Sequence, residues 1–217
     1  PHACARRPHS LRQSATDVTF VDHAAPKNES ELVEVVRGCL ARGQRAEIVA
    51  GGSKRALGRA TKAGTILDVS SLSGVISYEP DELVFRARAA TPLAEVDAIL
   101  AQKRQMLAFA PSDWGPVLGG RMKAATLGGI VASNACGARR VKAGAVRDHL
   151  IGCRFVNGGG ETVNAGGQVV KNVTGFDIPK LMCGAFGTLG VMSELTFRVV
   201  PKPTRSAVLS LRGAEVG

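Results

Sequence analysis

Ala46-Glu47-Ile48-Val49-Ala50-Gly51-Gly52-Ser53-Lys54 reads as a short buried strand that runs out into two adjacent glycines, a hydroxyl and a cation. Without a Cβ, consecutive glycine N–H groups can turn toward one anion and form a nest, and Ser53 adds a further donor. A pyrophosphate fits such a loop; an ordinary strand-exit turn is written with the same residues. Upstream, Asn28-Glu29-Ser30-Glu31 is a cluster of helix-start residues. Leu32, Val33, Val35, Val36, Cys39 and Leu40 then give one apolar face, predicting a helix to about Arg42 that stops at Gly43. Downstream, residues 65–69 form a second short apolar run. Helix, strand, glycine loop and strand make a small α/β lobe with its loop at a strand's end.

A second lobe is expected to begin after the turn cluster Tyr78-Glu79-Pro80-Asp81. Residues 83–89 alternate apolar and polar, as a half-buried strand does. Thr91-Pro92 predicts a capped helix start, with Leu93, Val96, Ile99 and Leu100 on its buried face. Gly158-Gly159-Gly160 joins two strands in a hairpin, and a last strand spans about residues 191–200, before Pro201-Lys202-Pro203. The organisation expected is a basic arm over residues 1–20, a first lobe over 21–78, a second over 79–205 and a tail over 206–217.

Two more glycine-rich segments lie in the second lobe. Residues 124–137, Ala-Ala-Thr-Leu-Gly-Gly-Ile-Val-Ala-Ser-Asn-Ala-Cys-Gly, open a helix with side chains small enough for a ligand to touch the backbone, or for helices to pack tightly. Residues 171–191 bring a glycine-laden loop into the last strand, so that main chain lines whatever lies against it. Neither the Walker phosphate loop nor the dinucleotide Gly-x-Gly-x-x-Gly occurs: Gly184, Gly187 and Gly190 have the wrong spacing.

The bulk properties narrow the classes. The 217 residues carry 28 Lys and Arg against 18 Asp and Glu, a formal +10. With aromatics at only 4%, no stacking platform for bases is at hand, which disfavours a nucleic-acid partner. A solvated basic surface, or one that faces an acidic subunit or anionic lipid, fits the spread of charge. The five cysteines are odd in number and never Cys-x-x-Cys, so reduced thiols in the cytoplasm are expected, with neither iron–sulfur cluster nor metal site. No apolar run approaches a bilayer span, which leaves at most peripheral membrane association.

In order and wording, Gly51-Gly52-Ser53-Lys54, Pro111, Ala125-Thr126-Leu127-Gly128-Gly129, Val146-Arg147-Asp148, residues 167–177 and Gly187-Thr188-Leu189-Gly190-Val191 resemble the FAD-binding domain of the vanillyl-alcohol oxidase and p-cresol methylhydroxylase superfamily. Within it they are most similar to the FAD-binding subunits of bacterial glycolate oxidases. The resemblance covers roughly residues 28–203 and implies an α+β fold, two α/β subdomains with FAD between them. It implies that Gly51, Gly52, Ser53 and Lys54 hold the pyrophosphate, that Thr126, Gly128, Gly129, Ala132 and Gly137 wrap the diphosphate and flavin side, that Pro111 lies near the flavin and Val191 near the adenine. Some relatives attach flavin through a His in the first loop; Ser53, Lys54 and Arg55 stand there, so noncovalent FAD is expected.

The implied activity is that of a 2-hydroxy-acid dehydrogenase subunit working with a catalytic flavoprotein subunit and an iron–sulfur subunit. Relatives continue past residues 201–203 into a cap over the flavin's reactive face, and the chain is expected to lack it. No general base can be identified, and the catalytic residues stay unassigned. His149 is read as structural. Two alternatives remain at this point: another oxidoreductase of the superfamily, such as a sugar-nucleotide reductase, or a flavin-free assembly module.

Overall fold

A computed structural model describes residues 21–59, 61–167, 176–208 and 210. The first lobe holds β1 (Asp22–Ala24), α1 (Glu29–Ala41), β2 (Ala46–Val49) and β3 (Thr65–Asp68). Its three strands are parallel, in the order β1-β3-β2, with Ile48 beside Leu67. Helix α1 starts where expected because Asn28 Oδ1 accepts the Glu31 N–H at 2.9 Å, while the Glu31 carboxylate accepts from Lys27 N at 2.8 Å. It stops at Arg42, before Gly43 turns left-handed with φ 61°.

The second lobe is a five-stranded antiparallel sheet in the order β4-β5-β9-β7-β8, backed by helices. Its strands are β4 (Val75–Glu79), β5 (Val84–Arg88), β7 (Leu150–Asn157), β8 (Thr162–Gly166) and β9 (Gly190–Arg198); short β6 (Gln105–Met106) and β10 (Val200–Pro201) pair apart. Helices α2 (Leu93–Gln102), α3 (Leu127–Ser133), α4 (Arg140–Ala143) and α5 (Ile178–Met182) complete it, with a 3-10 turn at Val146–Asp148. Phe85, Leu195 and Phe197 of the sheet pack with Val96 and Leu100 of α2 and with Leu127, Ile130 and Val131 of α3 in one core. The mixed architecture agrees with the α+β expectation.

Local readings differ in three places. Strand β4 already belongs to the second sheet, and Tyr78 and Glu79 lie inside it; the turn falls at residues 80–83, where Leu83 takes φ 58°. Strand β1, three residues with no apolar pattern, exists through its pairing with β3. Thr91 does not cap α2: Pro92 is the N-cap, and the Thr91 hydroxyl donates to Arg88 O at 2.7 Å and accepts from Gly74 N at 2.9 Å, tying β5 to the turn before β4.

A second core joins the lobes. Leu32, Leu67, Val69 and Leu72 pack with Val156 of β7 and Val191 of β9. Beside it the Glu29 carboxylate accepts from the Arg154 guanidinium at 2.9, 2.9 and 2.6 Å and from Ser193 Oγ at 2.7 Å. The start of α1 is thereby clamped to the middle of the second sheet, and the loop after β2 is held against the second lobe.

Candidate functional site

The loop leaving β2 meets the start of α3. A Cβ on Gly51 would stand 1.7 Å from Ala124 O and 3.3 Å from Thr126 Cγ2, so only glycine permits this crossing. Gly52 is left-handed, φ 70°, which turns the chain toward buried Ser53. Thr126 caps α3, its Oγ1 accepting from Gly129 N at 3.3 Å, and a Cβ on Gly129 would lie 3.7 Å from Lys54 Nζ. Gly51, Gly52, Ser53, Lys54, Thr126 and Gly129 are thus brought together from two lobes.

Lys54 brings its charge to this junction. Its Nζ donates to Ser53 Oγ at 3.3 Å and lies 5.9 Å from the Trp114 ring centroid. Among the described residues it makes no ion pair. Burial pushes its pKa below the ordinary 10.5, and Asp113 opposes that shift without reaching pairing distance. A half-buried ammonium without a counter-charge is costly, and an anion placed beside it removes the cost.

The remaining predicted positions have other surroundings. Gly128 faces β5: its N–H donates to Ala89 O at 2.6 Å, and a Cβ there would be 3.0 Å from that oxygen, so its bareness lets α3 close on the sheet. Gly137 backs onto the segment holding Pro111, with its N–H to Phe109 O at 3.1 Å and Ala110 O only 2.2 Å from where a Cβ would be. Ala132 accepts the Phe186 N–H at 2.8 Å, while Gly184 N reaches Val131 O at 3.0 Å, so the loop before β9 seals the end of α3. Val191 stands at the start of β9. Its side chain is in the lobe-joining core, and it lines a cavity of about 210 Å³ with Ile48, Leu67, Val156, Gly187 and Gly190. Expected loop residues 168–175 lie outside the described residues.

Two residues at the junction escaped the sequence reading. Asp113 clasps its own segment, accepting from Gly115 N at 3.0 Å and Lys123 N at 2.5 Å, and so presents Trp114 to Lys54. Trp114 is the only tryptophan of the chain, which was the one available signal. Elsewhere, His149 is buried, its Nε2 2.6 Å from Ala143 O and its ring 5.6 Å from that of Phe109. Cys39 and Cys153 are buried, and burial pushes the Cys153 and Cys183 thiols up to about 12, which disfavours the thiolate. No three metal-ligating side chains gather, and no helix is long and apolar enough to cross a membrane, among the described residues.

Comparison with known proteins gives a consistent picture. Residues 23–166 match the family described as "FAD binding domain". The chain is 42% identical over 160 residues to glycolate oxidase subunit GlcE of Escherichia coli, covering 74% of this chain and 43% of that protein. It is 30% identical over 191 residues to glycolate oxidase subunit GlcD of Bacillus subtilis, covering 86% and 38%. Against D-lactate dehydrogenase of Anaerostipes hadrus the identity is 34% over 148 residues, 68% and 29% of the two chains. Among solved structures, an alkyldihydroxyacetonephosphate synthase superposes with a TM-score of 0.67 at 20% identity, over 84% of this chain and 32% of its own. The chain thus spans less than half the length of each of these proteins.

Proposed function

The chain belongs to the FAD binding domain family, and we propose from that premise that it holds noncovalent FAD across the junction of its two lobes as part of a 2-hydroxy-acid dehydrogenase or oxidase. Lys54 is the observation that carries the placement: a half-buried cation without an ion pair among the described residues, set where the Gly51-Gly52 loop meets the glycine-bare start of α3. The residues present fit a dinucleotide. In this reading Gly51, Gly52 and Ser53 offer the diphosphate a backbone nest and a hydroxyl, while Lys54 supplies the counter-charge. Charges ~4 Å apart near a protein surface attract by about 4 kcal/mol, enough to dominate the local balance. Thr126, Gly128, Gly129 and Ala132 hold α3 close to both sides of this nest.

Pro111 and Gly137 form the far wall, where bare backbone accepts a flat ring system. Cavity residues Val191, Ile48 and Leu67 receive the adenine end, with the exposed main chain of residues 187–190 as its polar edge. Bound flavin supplies hydride or electron acceptance; the residues of this chain bind it, orient it and keep water from its phosphates. Among the described residues none stands as a general base: His149 is enclosed in the second lobe, its ring against Phe109. A small 2-hydroxy acid is the substrate class, taken from the glycolate oxidase and D-lactate dehydrogenase relatives. Because the chain carries a net +10 and relatives are named as subunits, we place it in a complex with a catalytic flavoprotein subunit and an electron-accepting iron–sulfur subunit on the cytoplasmic side.

Acid precipitation of the loaded protein tests the attachment. With Ser53, Lys54 and Arg55 in the first loop, the flavin passes into the supernatant, where its mass identifies it as FAD. Flavin that stays with the denatured pellet overturns the noncovalent reading.

A further inference from the structure

We propose that Trp114 is a positioning residue for the cofactor: its indole face holds the Lys54 ammonium beside Gly129, so that the tethered segment of residues 111–123 sets how tightly the diphosphate is bound. The inference rests on the FAD reading above and adds a residue outside the glycine loops.

The geometry begins with the segment itself. Ala110 (φ 43°) and Lys123 (φ 59°) bracket it, both left-handed without being glycine, and Gly119 (φ 73°) turns it back. Such backbone is held only where other contacts determine it. The Asp113 carboxylate supplies those contacts, gathering the N–H groups of Gly115 and Lys123 from opposite ends of the turn. Gly115 is buried with its Cβ position 2.1 Å from Arg121 O, so the two arms are in contact, and Gly120 N closes on Gly115 O at 2.7 Å. Trp114 is therefore presented from a closed turn, half-buried, while Val117 and Met122 of the same turn are 83% and 75% exposed.

Lys54 has four flexible side-chain bonds and would otherwise swing to solvent, where an ammonium is better hydrated. The ring of Trp114, at 5.9 Å, joins the hydrogen bond to Ser53 Oγ in keeping it inward without neutralising it. A carboxylate in that place would satisfy the cation and remove its pull on a phosphate. Asp113 is occupied with two backbone donors and acts on Lys54 only from beyond pairing distance. The arrangement keeps a cation inward and uncompensated, as an anion-binding group requires.

The test uses the full chain, freed of flavin, titrated with FAD at several salt concentrations, with the Trp114 emission as a second readout. Lys54→Met weakens FAD and flattens the salt dependence, since one phosphate-facing charge is gone. Trp114→Leu weakens FAD by about tenfold, within the range of a desolvated cation–π contact, and shares the flattened slope; Trp114→Phe recovers most of the loss. In the flavin-free Lys54→Met chain the Trp114 emission shifts, because the charge over the ring has left, and this readout stands even if a Trp114 variant misfolds. Unchanged Trp114 emission in Lys54→Met overturns the proposal. So does Trp114→Leu with native affinity, or with weakened affinity but a native salt slope, the mark of a merely structural role. A native chain that binds no FAD at all refutes the functional reading instead.

Discussion

Gly129→Val gives a folded protein that retains no flavin. In the first turn of α3 a Cβ at this position meets no backbone: the nearest atoms are Thr126 Oγ1 at 3.3 Å and Lys54 Nζ at 3.7 Å. The helix therefore accepts the change with a small adjustment of the Thr126 hydroxyl, and valine is a better helix residue than glycine. Its two methyls occupy the space beside the ammonium where the diphosphate is proposed to lie. Overpacking of ~1–3 kcal/mol together with a lost charge contact of up to about 4 kcal/mol corresponds to a loss of affinity of more than about a thousandfold. Gly51→Ala is the contrast, because its methyl would sit 1.7 Å from Ala124 O and force the lobes' loops apart, so flavin and thermal stability fall together. Flavin-to-protein absorbance and a thermal melt of each variant separate the two outcomes. Native flavin content in Gly129→Val would refute the placement of the diphosphate.

Glu29→Gln loosens the clamp between the lobes. The carboxylate accepts from Arg154 and Ser193, and its removal leaves the guanidinium facing a neutral amide. The side chains of Arg154 and Glu29 are 37% and 25% exposed, so solvent takes up part of the loss. We expect about 2 kcal/mol of destabilisation, below the ~3–5 kcal/mol of a fully buried pair, and a melting temperature lower by roughly 4–8 °C. The pH dependence has a definite sign. Hydrogen bonding from Arg154 holds the Glu29 carboxyl below its ordinary 4.5 against the opposing effect of burial. Its contribution is then fully present above 4.5 and lost as pH falls through the lowered folded value. Melts of the native chain against pH should show that loss, and the Gln variant should lack this component. Equal melting of the two at neutral pH would mean that apolar packing around Val156 and Val191 alone holds the lobes.

Much of this was legible in the residues. Asn28 and Glu31 mark the start of α1 because local side chains do the capping, and the Gly51-Gly52 crossing is announced by a residue type that alone tolerates it. Long-range pairing was less visible. Strand β1 has no pattern of its own and is defined by β3, and β4 ends in residues that read as a turn until β5 is seen beside it. Thr91 bears a capping residue's chemistry but is diverted by the Gly74 backbone, a contact across 17 positions. At the junction, the glycines were legible because their bareness is written in the sequence. Trp114 was missed because its role arises only when Asp113 folds the turn that carries it. Gly128 shows the converse: a glycine in the right motif whose neighbour is Ala89, just past the end of β5.

The most direct test of the whole account is an equilibrium titration of the flavin-free chain with FAD, followed by flavin fluorescence and by the emission of Trp114 in the same sample. The native chain saturates at one FAD per chain, with both signals reaching their end point together, and Gly129→Val shows neither change. Saturating FAD that leaves both signals of the native chain unchanged would contradict the account.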